Sequence, residues 1–368
     1  MNAATEPVQR PLDAKLLVID PCHEPRHAAR VDLLDFLHAG DLVIANDAAT
    51  LPASLAGHHL PTGGVVEVRL ASRGSLSPDD VEHFTAVVFG AGDFHTQTEQ
   101  RPAPPPLTPG DGLSLGPLRA TITGVLDHPR LVSLRFEGRP DEIWSGLARH
   151  GRPLQYAHVA TPLALWDVWT PIAGSPVAFE PPSAGFAIDW RTVAAMRDRR
   201  IDFATITLAA GISSTGDPEL DARLPFDEPY HVPDTTADAV NRARLRHGRG
   251  RGASAGQAGA SGRIVAIGTT VVRALEHAVD ESGQVRAGNG LATRRIGPDT
   301  RLRVVDAILS GVHEPATSHY QLLRAFADDE TLQKADALMN TLGYRTHEFG
   351  DSVLIESMNA GLKPCATY

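Results

Sequence analysis

Four consecutive apolar residues, Ile264 to Ile267, run directly into Gly268-Thr269-Thr270, after which apolar positions recur at helical spacing through residues 271–279. A short unbroken apolar run has the pattern of a strand buried on both faces, and its continuation has that of an amphipathic helix. A strand, a Gly-Thr-Thr turn and an immediate helix place backbone N–H groups and two hydroxyls at a positive helix end. That arrangement suits an anion or a carboxylate-bearing small molecule. The same local pattern also describes an ordinary strand-to-helix turn capped by threonine.

The rest of the chain alternates in texture. Residues 14–20 predict a buried strand, 31–38 a helix that stops at Ala39-Gly40, and 41–45 a second strand running into Asn46-Asp47. From residue 60 to 136 the pattern changes to short alternating segments, at 65–70, 86–89, 118–125 and 131–136, separated by Pro- and Gly-rich clusters. That is the signature of a small all-β module inserted in an α/β chain. Helical spacing returns at 190–197, 236–246, 319–326 and 331–342, and further strands are predicted at 203–210, 302–309 and the end of 344–355. Residues 179–188 are Pro- and Gly-rich, fit for a loop pressed close to a ligand, and 211–216 read as a connection able to cover a site. Residues 248–262 are of low complexity and predict a mobile loop, in which Arg249 and Arg251 are expected to be solvated. The fold class expected is therefore α/β: a discontinuous main domain over 1–59 and 150–368, with a small antiparallel β-barrel domain inserted over 60–149.

Composition narrows the function classes. The chain has 368 residues, 42% of them hydrophobic, enough for a sizeable core. Its net charge of -10 argues against a surface that coats nucleic acid, although a local patch for RNA is compatible with it. Apolar runs are short of a membrane span and the first residues lack a signal-peptide core, so a soluble, cytoplasmic protein is expected. Cys22 and Cys365 show no zinc-ligand spacing, and a structural disulfide between them is open to the sequence, although a reducing compartment favours free thiols.

Several side chains are candidates for chemistry. Asn46 and Asp47 stand at the carboxyl end of a predicted strand, where α/β sheets tend to bind ligands. His313 ends a strand beside Glu314 and before Pro315, a position suited to proton transfer or to a turn histidine bound to backbone. Arg273 lies one turn into the helix after the threonines, near enough to reach a carboxylate or to pair with Glu276. Asp351, after Gly350, is either a structural turn residue or a ribose ligand, and Glu228 with Tyr230 is a weaker polar pair.

Taken in order, the segments GDLVIANDAATLPASL from Gly40, TGGVVEVRL from Thr62, PPSAGFAI from Pro181, IVAIGTTVVRALE from Ile264, DAILSGVHEP from Asp306 and YRTHEFGDSVLI from Tyr344 resemble the S-adenosylmethionine:tRNA ribosyltransferase-isomerase family of queuosine biosynthesis. The resemblance implies an α/β body interrupted by a β-barrel, and S-adenosylmethionine as co-substrate without a metal. It implies transfer of the ribosyl part to a 7-aminomethyl-7-deazaguanine base in tRNA. The route begins with proton loss at C5′ beside the sulfonium and goes on to release of adenine, attack by the amine, epoxide closure and release of methionine. It makes Asp47 and His313 the expected catalytic groups, Gly268, Thr269, Thr270, Arg273 and Asp351 the expected S-adenosylmethionine side, and Asn46, Glu228 and Glu314 the expected substrate contacts. The chain also departs from the family pattern. Ala48 and Ala49 replace a threonine and an arginine, Ser54 an arginine, and Ala187 and Ala209 histidines. Residues 225–228, 310–315 and 153–158 are rewritten as PFDE, SGVHEP and PLQYAH. These losses, with the net acidity, imply a weakened grip on tRNA and leave open a small-molecule acceptor, simple cleavage of S-adenosylmethionine, or binding without turnover.

Overall fold

The computed structural model describes residues 1–250, 262–315 and 317–357. Its body is a nine-stranded mixed sheet. The strands used below are β1 (Lys15–Ile19), β2 (Arg26–Ala29) and β3 (Leu42–Asn46). The barrel follows: β4 (Ser54–His59), β5 (Val65–Ser72), β6 (His83–Phe89), β7 (Gly112–Leu115), β8 (Leu118–Val125) and β9 (Leu131–Phe136). The chain then returns to the body with β10 (Asp202–Leu208), β11 (Glu228–Val232), β12 (Ile264–Ile267), β13 (Gly288–Ala292), β14 (Ala307–Gly311) and β15 (Ser352–Glu356). Across the body sheet the order is β13-β11-β10-β3-β12-β14-β15-β1-β2, with β10, β3, β12 and β14 mutually parallel at its centre.

Strand periodicity explains why this centre reads as unbroken apolar sequence. Ile264 and Ala266 of β12 enter the core on one face of the sheet, while Val265 and Ile267 enter the core on the other. Both faces are covered, so neither set of alternate positions is polar. On the first face lie α3 (Asp234–Gly250), α4 (Thr269–Ala278) and α5 (Asp329–Thr341), and on the second α2 (Trp190–Asp198) and the 3-10 turn Arg30–Phe36. Full burial of each such aliphatic side chain contributes roughly 1.5–3 kcal/mol. The segment expected to be a helix at 31–38 is this 3-10 turn.

The inserted module is a closed six-stranded antiparallel barrel, ordered β8-β9-β6-β5-β4-β7. Its first strand begins before residue 60: SLAGHH, with Gly57 at its middle and no regular alternation, is β4 and closes the barrel against β7. The helix α1 (Pro140–His150) packs Ile143 and Leu147 onto the barrel core. Ser54 and Arg152 exchange both backbone hydrogen bonds at 2.9 Å, so the chain enters and leaves the barrel side by side. Phe179, Ile212, Leu220 and Leu224, from the body segment, extend the same apolar core, which ties the barrel to the loops around the site.

Cys22 is disulfide-bonded, against the expectation of a free thiol, and Cys365 lies outside the described residues. Most of the predicted loop at 248–262, with Arg251, also lies outside them. Arg249 falls within the last turn of α3. Among the described residues no helix is long and apolar enough to cross a membrane.

Candidate active site

Where β12 ends, Gly268 takes φ 92° and ψ 159°, a region essentially reserved for glycine, and α4 starts at the next residue. Gly268 donates its N–H to Leu309 of the neighbouring β14 at 2.8 Å, and no side chain caps the helix. The threonines therefore do not cap the turn. The Oγ1 of Thr270 is buried with no hydrogen-bond partner among the described residues, and both threonines line a cavity enclosing about 1100 Å³, open solvent at its mouth included. The 3-10 turn Ser183–Ala187 forms the facing wall. A Cβ placed on Gly268 would stand 3.4 Å from the Cβ of Ala184.

The cavity is rich in buried charge. Arg273, 6% exposed, points inward from α4 and forms an ion pair with Glu228, while its Nη2 donates to the carbonyls of Phe226 and Ala292. Its Nε has no protein partner. Glu228 also accepts from the Gly211 N–H at 2.9 Å. Burial works against the Glu228 charge, and Arg273 with this N–H favours it. The pairing expected with Glu276 does not form: that carboxylate accepts from the backbone N–H groups of Arg303, Val304 and Val305.

Two further carboxylates line the cavity, and the local patterns singled out neither. Burial pushes Glu180 up to about 7, against a hydrogen bond from Ser213, and pushes Glu348 up to about 8, with Glu180 adding to the effect. His313 and His319 also line it and stack on each other, centroids 4.5 Å apart. Burial holds His313 well below the usual imidazole range, helped by His319 and His347, and lowers His319 to about 4, helped by Arg273. Both imidazoles are thus neutral near pH 7 and able to donate or accept a hydrogen bond.

Other expected site residues lie elsewhere. Asn46 is 1% exposed, with its amide tied to the backbone of Leu208 and Ala48, so it joins β3 to β10 and lines no part of the cavity. Asp47 accepts from Thr207 Oγ1 at 2.6 Å, outside the cavity lining. Asp351, 1% exposed, accepts from the backbone N–H groups of Lys15 and Arg345 and from the Arg345 guanidinium, a staple between β1 and the strand Arg345–Thr346. Glu314 is exposed, its backbone carbonyl accepts from Thr317, and its charge acts on His347.

The model of the queuosine biosynthesis protein family matches residues 1–355. The chain belongs to that family. The S-adenosylmethionine:tRNA ribosyltransferase-isomerase of Sorangium cellulosum is 32% identical over 97% of this chain and 96% of its own length. The protein of the same name from Thermus thermophilus is 31% identical over 88% and 86%. A crystal structure of S-adenosylmethionine tRNA ribosyltransferase from Thermotoga maritima covers 96% of this chain and 95% of its own, at 20% identity and a TM-score of 0.48.

In this member of the queuosine biosynthesis family, two of the segments that carry the resemblance, PPSAGFAI and IVAIGTTVVRALE, face each other across the cavity. Several departures from the family pattern have become core: Ala48, Ala49 and Ala209 are each at most 2% exposed. A further departure meets one of the segments that carry the resemblance. Tyr156 and His158 of PLQYAH stack against His158 and His347 in turn, with His347 contributed by YRTHEFGD. Glu348, adjacent to His347, is the one of this group that lines the cavity.

Proposed function

We propose that this chain is an S-adenosylmethionine-dependent ribosyltransferase-isomerase of queuosine biosynthesis acting on tRNA, and that S-adenosylmethionine binds over Gly268-Thr269-Thr270. The observation that carries the activity is membership of the family over residues 1–355, with relatives of that name matching end to end. The cavity supplies what the charges of this substrate require. Its carboxylate suits the N–H groups and the unpartnered Thr270 hydroxyl at the start of α4. Its sulfonium and ammonium are cations, and Glu180, Glu228 and Glu348 make an acidic lining in which Arg273 is the buried counter-charge.

Loss of the proton beside the sulfonium needs a base within hydrogen-bonding reach, with a pKa near the working pH. Glu180, raised to about 7 by burial, is the group we assign to it. An approaching cation favours the ionised carboxylate and so readies the base as substrate binds. His313, with its stacked neighbour His319, is assigned to the departing adenine, where a neutral imidazole donates a hydrogen bond to a ring nitrogen as negative charge develops. Glu228 fixes Arg273 rather than touching the reacting atoms. Asn46, Asp47, Asp351 and Glu314 receive no catalytic role.

The test is incubation of the full chain with S-adenosylmethionine, with and without unmodified tRNA, following adenine and methionine by mass spectrometry. Release of both in the tRNA-containing reaction alone is the expected result. Turnover without tRNA would move the acceptor to another class, and failure to bind S-adenosylmethionine would overturn the assignment of the cavity.

A further inference from the structure

Beside the cavity, His158, His347 and Glu348 offer ligand atoms that all lie within 4.8 Å of one another. His158 comes from the rewritten PLQYAH, and His347 and Glu348 come from YRTHEFGD far along the chain, so the fold alone brings them together. The His158 and His347 rings are parallel to within 23°, with centroids 4.5 Å apart. The Nε2 of His158 faces Oε2 of Glu348 at 4.0 Å, too far for a hydrogen bond, and both atoms are buried with no hydrogen-bond partner among the described residues. The hydroxyl of Tyr156, stacked on His158 at 5.6 Å, is a third buried polar atom without one. Buried polar atoms left unpaired cost about 1–3 kcal/mol each, and several converging on one spot point to something that satisfies them.

We propose that His158, His347 and Glu348 bind a divalent first-row transition-metal ion of the zinc class. Two imidazole nitrogens and one carboxylate oxygen are the ligand set this borderline-soft ion takes, with bonds of about 2.0–2.2 Å. Tetrahedral placement at such bond lengths needs ligand atoms about 3.4 Å apart. The 4.0 Å between His158 Nε2 and Glu348 Oε2 closes to that by small side-chain rotations. Three protein ligands leave a coordination position for water or for an oxygen of a bound molecule. Because Glu348 also lines the cavity, that position belongs to the cavity side. Val159 and Phe349, the chain neighbours of His158 and Glu348, belong to a hydrophobic cluster with Leu163, Val168 and Phe186, and Tyr156 packs against it, a setting that lowers the dielectric beside the group. Nothing in the ligand geometry depends on the tRNA reaction, so the site stands or falls separately from the proposed activity.

The experiment uses the untagged full chain, stripped with a chelator, dialysed, and titrated with Zn²⁺ and with Co²⁺ alone. One equivalent is expected to bind with submicromolar affinity, Co²⁺ is expected to develop the visible d–d bands of a low-coordinate site, and Zn²⁺ is expected to raise the melting temperature. H158A and H347A are each expected to weaken binding at least 100-fold and to abolish the shift in melting temperature. E348Q retains the side-chain shape and is expected to weaken binding at least tenfold. H231A, at a half-buried strand position outside the cluster, is expected to bind like the wild type. Melting of each variant without metal checks that it folds. Should H158A or H347A misfold, E348Q together with the cobalt spectrum of the wild-type chain decides the matter. Absence of stoichiometric binding, or binding unchanged in the folded variants, overturns the proposal.

Discussion

At the scale of single residues, the side chains that matter most are ionisable groups whose charge the fold opposes. Glu180 is the clearest case: burial raises it to about 7, so at neutral pH it is close to half ionised. A base works in its ionised form. kcat/KM for S-adenosylmethionine is therefore expected to rise with pH through about 7 in the wild type, and E180Q is expected to lose that limb. The same variant is expected to lower kcat by roughly 10²–10⁴-fold while leaving S-adenosylmethionine affinity within a few-fold, as steady-state kinetics and calorimetry would show. Equal loss of affinity and turnover would instead make Glu180 a binding group. Arg273 answers to different physics. Its buried pair with Glu228 contributes little net stability relative to a well-packed apolar pair, but removing one partner strands the other. R273A is expected to cost about 3–5 kcal/mol in denaturant unfolding. The double variant R273M/E228Q, which removes both charges at similar volume, is expected to recover most of that loss.

At the scale of the element, the β12–turn–α4 unit shows both what local pattern reveals and what it hides. The unbroken apolar run, the glycine and the helical spacing are each fixed within a few residues, so strand, turn and helix are legible along the chain. The direction in which a polar side chain is satisfied is not. Asn46, Asp47 and Asp351 sit in ligand-like motifs, yet Asn46 is tied to Leu208, Asp47 to Thr207 and Asp351 to Lys15 across paired strands, and Asp351 also to Arg345 across a turn. Glu180 directly precedes PPSAGFAI and Glu348 lies inside YRTHEFGD, but a carboxylate's burial is a tertiary fact that no spacing announces. The first barrel strand was hidden for a related reason: barrel closure gives Ser54–His59 its partners although its own alternation is poor. The unit itself makes two predictions. G268A places its Cβ in ordinary van der Waals contact with Ala184, at 3.4 Å, but forces alanine to φ 92°, ψ 159°, and is expected to cost about 1–3 kcal/mol from backbone strain alone. T270V removes a buried hydroxyl that has no partner among the described residues, so stability by thermal melting is expected to be kept or to rise, by up to about 1–3 kcal/mol. S-adenosylmethionine affinity is expected to fall roughly 2–10-fold, the worth of one hydrogen bond.

At the scale of the molecule, barrel and body share one apolar core, yet they carry buried carboxylates of opposite character, and this shapes stability against pH. In the barrel, Glu67 is desolvated, but Arg69 and Arg101 outweigh the effect and hold it down at about 2, with Arg69 Nε donating at 2.8 Å. Both guanidiniums lie over the Phe89 ring, at 4.7 and 5.6 Å from its centroid. A carboxylate held below its unfolded value of 4.5 adds stability that is present above pH 4.5 and is lost as pH falls towards 2. In the body, Glu180 has the reverse linkage. Between 4.5 and about 7 the unfolded chain has released this proton while the folded chain retains it, so stability falls as pH rises through that window. The neutral isostere E180Q removes only this second limb. Its unfolding free energy is expected to match the wild type near pH 4 and to exceed it at pH 8 by on the order of 3 kcal/mol, measured by denaturant titration at both values. Equal gains at pH 4 and 8 would mean that glutamine simply packs better there, and the ionisation assigned to Glu180 would have to be abandoned along with its role as the base.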